Sequence, residues 1–265
     1  MKKVFTVCSI IAMTGLGFIG GSRHGKMQTQ NHKDYTMETS CRYKTNPVAE
    51  TEFPFNVEYK VLEPAAMSKF TPEHFQGLAN VQQIQTKRLN LRAIKLADLD
   101  NIVDMFADKE TTYMLGFMPW PFTKPMIENY LYNLSWNIKN GRSMYWAITE
   151  KDKDQFIGEI GLTLELEHNK ATMHYSLNRS HWGHGYMTEC VKTIIDYCFR
   201  ELNLVRLEIN HMTVNNRSQN VINKCGFTLE AIQDAYVKKD DGYQEVRLYR
   251  ILRDEYFKNY KKEAM

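Results

Sequence analysis

The sequence predicts an α/β chain built on a mixed, mostly antiparallel sheet with helices on both faces. Three observations predict it. Three alternating segments follow one another across charged turns, the pattern of neighbouring antiparallel strands. The third runs through a glycine-bearing turn into a strongly amphipathic helix and then another strand, the order of a right-handed crossover between parallel strands. The apolar residues of each helical segment keep to one face, so the helices must pack on a sheet as separate layers.

Taken in order, Leu89, Leu91 and Ala93 alternate as a first strand. Leu99, Ile102, Val103 and Phe106 repeat at helical spacing from about Asp98. Ile127, Tyr130, Leu131, Leu134 and Ile138 make a second helix, with Pro125 near its start and Gly141 just past its end. Ser143–Thr149 and Gln155–Leu166 read as strands separated by Lys151-Asp152-Lys153-Asp154, and Glu167-His168-Asn169-Lys170 makes the next turn. Ala171, Met173, Tyr175 and Leu177 then alternate with polar residues as a half-buried strand. Met187, Cys190, Val191, Ile194, Ile195, Cys198, Phe199 and Leu202 line one face of a helix that ends by Asn203. Val205, Leu207 and Ile209 point inward from the following strand, and terminal strands are expected around Ala235 and Val246–Leu252.

The composition changes near residue 80. Residues 80–265 carry the periodic pattern, whereas residues 1–79 read as a leader with little sustained periodicity. Lys2-Lys3 followed by the run Val4 to Gly20 resembles a signal peptide, but it is glycine-rich, short for a membrane span and followed by no A-x-A cleavage site. The leader either exports, anchors or addresses the protein, or is an upstream extension with Met67 as the start. With 34 basic and 31 acidic residues the net charge of +3 is too balanced to argue for nucleic acid, and no basic stripe with interleaved aromatics stands out. The five cysteines are odd in number and form no C-x-x-C pair, which favours a reducing compartment. His181-x-x-His184 lacks partner ligands at recognisable spacing, so no metal site is expected.

The chemistry concentrates in Asn178-Arg179-Ser180-His181-Trp182-Gly183-His184-Gly185-Tyr186-Met187-Thr188-Glu189. Its glycines let backbone approach a ligand closely. The helix that follows offers unpaired N–H groups and a partial positive charge. Strand, glycine turn and helix N-terminus together make a cradle for a pyrophosphate.

Four stretches in order carry a family resemblance: Thr86-Lys87-Arg88-Leu89-Asn90-Leu91-Arg92; Trp182 to Glu189; Asn215-x-x-Ser218 continuing through Val221-Ile222-Asn223-Lys224-Cys225-Gly226-Phe227; and Gly242-Tyr243-x-Glu245 through Tyr249 to Tyr256. Over about residues 84–256 the chain resembles the GNAT acyl-CoA N-acyltransferases, in particular their Rim-type branch, which includes the ribosomal-protein N-terminal acetyltransferases. The resemblance implies the GNAT fold, a sheet with one splayed parallel pair, and transfer of acetyl from acetyl-CoA to a primary amine. The acceptor it implies is a protein N-terminal amine or a small amine. The family pattern Q/R-x-x-G-x-G/A falls on Trp182, Gly185 and Met187; Trp is common there in the Rim-type branch, and Met is a departure. By resemblance, backbone amides of Gly183, His184, Gly185, Tyr186, Met187 and Thr188 hold the CoA pyrophosphate. The strand backbone at Met173, Tyr175 and Leu177, with Asn215 opposite, meets the pantetheine arm. Asn215 also reads as a helix N-cap, and the two roles are compatible.

The implied reaction is direct attack of a neutral amine on the thioester through a tetrahedral intermediate, with CoA thiolate leaving. A backbone N–H of the splayed strand would meet the oxyanion. The family's tyrosine proton donor falls on Ile222, which leaves Ser218 as the Rim-type alternative, or as a residue of the helix start. The Rim-type glutamate falls near Val237. The remaining candidate bases are Glu159, Glu208 and His174, with Glu159 preferred. Met118-Pro119-Trp120-Pro121-Phe122 lies where the family borders its acceptor pocket, so Trp120 either contacts the acceptor or fills the core. Acetyl-CoA is an intracellular metabolite, which favours a dispensable leader, a cytoplasmic protein and a monomer or homodimer without membrane contact. A rival reading is a catalytically silent acyl-CoA-binding module, suggested by Ile222, Val237 and Met187.

Overall fold

The computed structural model describes residues 78–79, 81–116 and 118–263, with side chains through residue 258. The leader lies outside the described residues. Strand β1 (Ile84–Gln85) turns into β2 (Leu89–Arg92), and a 3-10 turn leads to α1 (Leu99–Ala107), α2 (Lys109–Met114) and α3 (Lys124–Lys139). Three strands follow, β3 (Ser143–Glu150), β4 (Phe156–Glu165) and β5 (Lys170–Leu177), then α4 (Tyr186–Arg200), β6 (Arg206–Met212) and α5 (Asn216–Lys224). A long hairpin, β7 (Thr228–Lys239) and β8 (Gly242–Leu252), precedes α6 (Arg253–Glu263).

The eight strands lie in the order β1-β2-β3-β4-β5-β6-β8-β7. All neighbours are antiparallel except β5 and β6. That parallel pair is joined at three positions, Lys170 to Arg206, Ala171 to Leu207 and Thr172 to Glu208. Beyond Thr172 the ladder stops, although β5 runs on to Leu177 and β6 to Met212. The expected mixed sheet with one splayed parallel pair is therefore the observed one.

Two apolar cores explain the layers. On one face, Leu89, Leu91, Trp146, Ile148, Ile160 and Leu162 pack against Cys190, Val191, Ile194, Ile195 and Cys198 of α4 and Ile222 of α5. On the other, Tyr145, Ala147 and Phe156 pack against Ile102, Met105 and Phe106 of α1 and Ile127, Leu131, Leu134 and Ile138 of α3. Cys190, Cys198 and Cys225 are buried free thiols, and burial pushes all three above the ordinary thiol range.

Several elements depart from the expectation. The first strand stops at Arg92, so Ala93 lies outside it. Arg92 is buried and forks onto Asp98 at 2.7 and 2.8 Å, tying the end of β2 to the start of α1. A third helix, α2, was not expected. It starts on an Asp108 cap, whose carboxylate accepts from the Thr111 amide at 3.0 Å and the Thr111 hydroxyl at 2.7 Å. Six residues give it too little length to show a period, and Thr111 and Thr112 are its buried residues. Strand β7 is far longer than a segment around Ala235 suggests. It is an edge strand, mostly exposed, so it lacks an inward-outward alternation to read.

One glycine is set by close packing. Gly161 of β4 lies opposite Tyr145 of β3, and a Cβ at that position would lie 2.4 Å from Cγ and Cδ1 of the Tyr145 ring. Gly161→Ala is expected to displace Tyr145 and lower stability by about 1–3 kcal/mol, measurable as a lower urea midpoint with little change in m-value.

Candidate active site

The functional region begins where β5 leaves its partner. After Leu177 the chain makes a short 3-10 turn capped by Asn178, whose side chain accepts from the Ser180 amide at 3.2 Å. The Trp182 indole then donates to the Leu177 carbonyl at 2.8 Å, clipping the turn back onto the strand. Gly183 and Gly185 follow with φ of 81° and 75°, in the left-handed region that side chains resist. Gly185 is the N-cap of α4 and has no side chain to occupy the helix end, so the first amides of the helix are left for a ligand. Met187, the departure from the family pattern, is buried in the core beneath this end. Arg88 of the β1–β2 turn reaches the same loop. Its guanidinium donates to the His184 carbonyl at 2.9 Å, pairs with Glu189 at 2.7 Å and lies 4.7 Å from the Tyr186 ring centroid.

From this loop a cavity of about 950 Å³ runs along the splay. Met173, Tyr175, Leu177, Trp182, Gly183, Gly185, Tyr186, Met187, Thr188, Asn215, Ser218 and Glu159 all line it; His184 and Trp120 do not. His184 stacks on Tyr186 with centroids 5.6 Å apart. Trp120 is 45% exposed and sits 5.0 Å from the Lys109 ammonium, so it neither fills the core nor reaches the cavity.

Asn215 caps α5, its side chain accepting from the Ser218 amide at 3.0 Å. Ser218 itself is buried, and its hydroxyl lies 2.7 Å from that of Tyr175 on β5. Ile222 is fully buried and brings no proton donor to the cavity. Tyr175 instead supplies a phenol from the opposite wall. Its pKa is raised, by burial first. Periodicity marks Tyr175 only as an inward residue and carries no signal for its hydroxyl.

Glu159 is a buried carboxyl in the cavity lining. It lies on β4 opposite Ser176 and is 5% exposed. One oxygen, Oε1, accepts from the Tyr130 hydroxyl at 3.0 Å and the Ser176 hydroxyl at 3.3 Å. The other, Oε2, is buried without a hydrogen-bond partner within the protein. Burial raises the carboxyl to about 7, against the opposing pull of the two hydroxyls. The other base candidates are less suited. His174 lines the cavity beside Thr163 at 3.0 Å, but burial lowers it to about 4. Glu208 lies outside the cavity and is held by Arg206 at 2.6 Å and Lys170 at 3.4 Å. Val237 lines the far end of the cavity with an apolar side chain. Among the described residues no cluster of three or more His, Cys, Asp or Glu suits a metal ion.

A strand that parts from its parallel neighbour, a left-handed glycine turn and a bare helix end line one continuous cavity. A family profile described as an acetyltransferase (GNAT) domain matches residues 88–228. The chain belongs to the GNAT acetyltransferases. It is 30% identical to a protein named uncharacterized N-acetyltransferase p20 of Bacillus licheniformis, over 66% of this chain and 99% of that one. It is 23% identical to the [ribosomal protein uS5]-alanine N-acetyltransferase of Escherichia coli, over 63% of this chain and 90% of that one. The spermidine N-acetyltransferase of Vibrio cholerae, solved with CoA and spermine, shares the fold at a TM-score of 0.57 and 23% identity, over 64% and 98% of the two chains. No helix among the described residues of this GNAT chain is long and apolar enough to cross a membrane.

The raised carboxyl has a thermodynamic signature. Glu159 favours the folded state in its protonated form, so its contribution is fully present below pH 4.5 and is lost as pH rises through about 7. Wild type should lose stability relative to Glu159→Gln across that interval, by on the order of 2–3 kcal/mol, in paired denaturation curves at each pH.

Proposed function

We propose that this chain transfers the acetyl group of acetyl-CoA to a primary amine, a protein N-terminus or a small amine, in the manner of the Rim-type branch. The observation that carries the reading is Glu159. A buried carboxyl near 7, with one oxygen unpartnered, lines the cavity that begins at the glycine turn. Such a group takes a proton near neutral pH without outside help. The relatives named above support amine acetylation as the class of reaction.

In this reading the amides of Gly183–Thr188 and the helix end hold the pyrophosphate, and the open edge of β5 from Met173 to Leu177 lines the pantetheine arm. The amine nitrogen attacks the carbonyl carbon, and its proton passes to Oε2 of Glu159. Tyr130 and Ser176 hold the carboxylate in place through Oε1. As the carbon–sulfur bond breaks, the Ser218 hydroxyl donates a hydrogen bond to the departing sulfur, with the Tyr175 hydroxyl fixing the Ser218 oxygen; the thiolate takes a proton from solvent and Glu159 returns its own there. Met187 does not obstruct the cradle, because its side chain is turned into the core.

Calorimetric titration of acetyl-CoA into the protein tests the donor half: wild type binds, and Gly185→Asp, which sets a carboxylate and a strained backbone at the pyrophosphate, does not. Kinetics test the acceptor half. Glu159 must be ionised to act, so turnover should rise with pH through about 7, and Glu159→Gln should lose that limb and roughly 10²-fold or more in rate while still binding acetyl-CoA. Binding with no transfer to any amine would point to the silent acyl-CoA-binding module instead.

A further inference from the structure

The end of the cavity beyond Glu159 lies between two segments far apart in sequence. Leu115 and Gly116, after α2, form one rim; Tyr236, Val237 and Lys238, near the end of β7, form the other. Strand β7 reaches this position through a break in its pairing with β8 between Gln233 and Val237, where Ala235 adopts a φ of 52°. Such an irregularity bends an edge strand out of the sheet plane.

The two rims are laced together. The Lys239 ammonium donates to the Leu115 carbonyl at 2.8 Å and the Met118 carbonyl at 3.2 Å. It also lies 5.5 Å from the Tyr113 ring centroid. The Tyr113 hydroxyl donates to Asp241 Oδ2 at 2.8 Å. Gly116 packs so closely on Val237 that an added Cβ would lie 3.1 Å from Val237 Cγ2. Ammonium-to-carbonyl hydrogen bonds are charge-assisted and stronger than neutral ones. They fix the hairpin tip on the α2 segment from both sides of the gap.

We propose that Lys239 and Asp241 form a strap across the acceptor end, which selects unbranched primary amines of narrow cross-section over polypeptide N-termini. The proposal rests on the acyl-transfer reading and narrows its acceptor. An N-terminus brings a side chain on its first carbon and a chain advancing about 3.3–3.6 Å per residue. It needs an open cleft along which its amides find partners. A linear amine needs only a slot leading to Glu159, with the Tyr130 and Tyr145 rings beside the path. Lys239 and Asp241 are specificity-determining residues in this scheme and touch no reacting atom.

The test compares a linear diamine with a hexapeptide bearing one free α-amine, using the full chain, acetyl-CoA and CoA release. Wild type should favour the diamine by about tenfold or more in kcat/KM. Lys239→Met should raise kcat/KM for the peptide about tenfold through KM and leave the diamine within about twofold. Asp241→Ala, which removes the exposed acceptor of the Tyr113 hydroxyl and the Gln244 amide, should show the same trend in smaller measure and covers a failure of Lys239→Met to fold. Equal or better use of the peptide by wild type, or a parallel loss with both acceptors in the variants, overturns the strap. Transfer to neither acceptor by any of the proteins, with acetyl-CoA still bound, overturns the acyl-transfer reading itself and the strap with it.

Discussion

The structure turns on three residue pairs. Strands β5 and β6 are joined from Lys170 to Thr172 and no further, while both run on for several residues. Backbone N–H and C=O groups left over in a sheet demand partners, and burying them unpaired is costly. Each strand is anchored along its other edge. β5 is paired along its whole length with β4, from Lys170 to Leu177, and β6 along its length with β8. An open row of main-chain groups faces the cavity. The glycine turn and the bare end of α4 continue that row at one end.

A buried carboxyl without a full set of partners is a local cost that the surrounding packing must offset. Glu159 sits on β4 in the middle of the sheet, where Ile160 and Leu162 of the same strand and Trp146 and Ile148 of neighbouring β3 are all fully buried. Two hydroxyls support one of its oxygens, and nothing supports the other. Rigid apolar layers on both faces hold the group where a solvated carboxylate would not stay. Burial raises this carboxyl while its two hydroxyl partners pull it down, so the same packing sets both its protonation and its cost to the fold.

Much of this was legible in the sequence, and the failures have physical causes. The long helix α4 announced itself because seven apolar residues keep strict helical spacing. The glycine turn was legible because few residues other than glycine tolerate the conformations at positions 183 and 185. Helix α2 hid because threonines and a capping aspartate, not an apolar stripe, define it. The hydroxyls of Tyr130 and Tyr175 hid because hydrophobic patterning scores the ring and not the oxygen. Val237 brings no carboxylate to the position where the Rim-type glutamate falls, and Glu159 lines the cavity from β4, about eighty residues earlier in the chain. Long-range pairings such as Lys239 with Leu115 leave no periodic trace at all.

The buried cysteines acquire a meaning from the chemistry assigned to the cavity. A reaction that splits a thioester discharges a free thiol beside the protein at every turnover, and oxidised forms of such thiols exchange readily with protein thiolates. Cys190, Cys198 and Cys225 are packed into the core, with the last raised to about 11 and the other two higher still. At neutral pH they are almost wholly protonated and sterically out of reach, so they are poor nucleophiles. The same packing that seats α4 and the end of α5 on the sheet insulates these three thiols, the cysteines among the described residues, from mixed-disulfide formation with a released thiol.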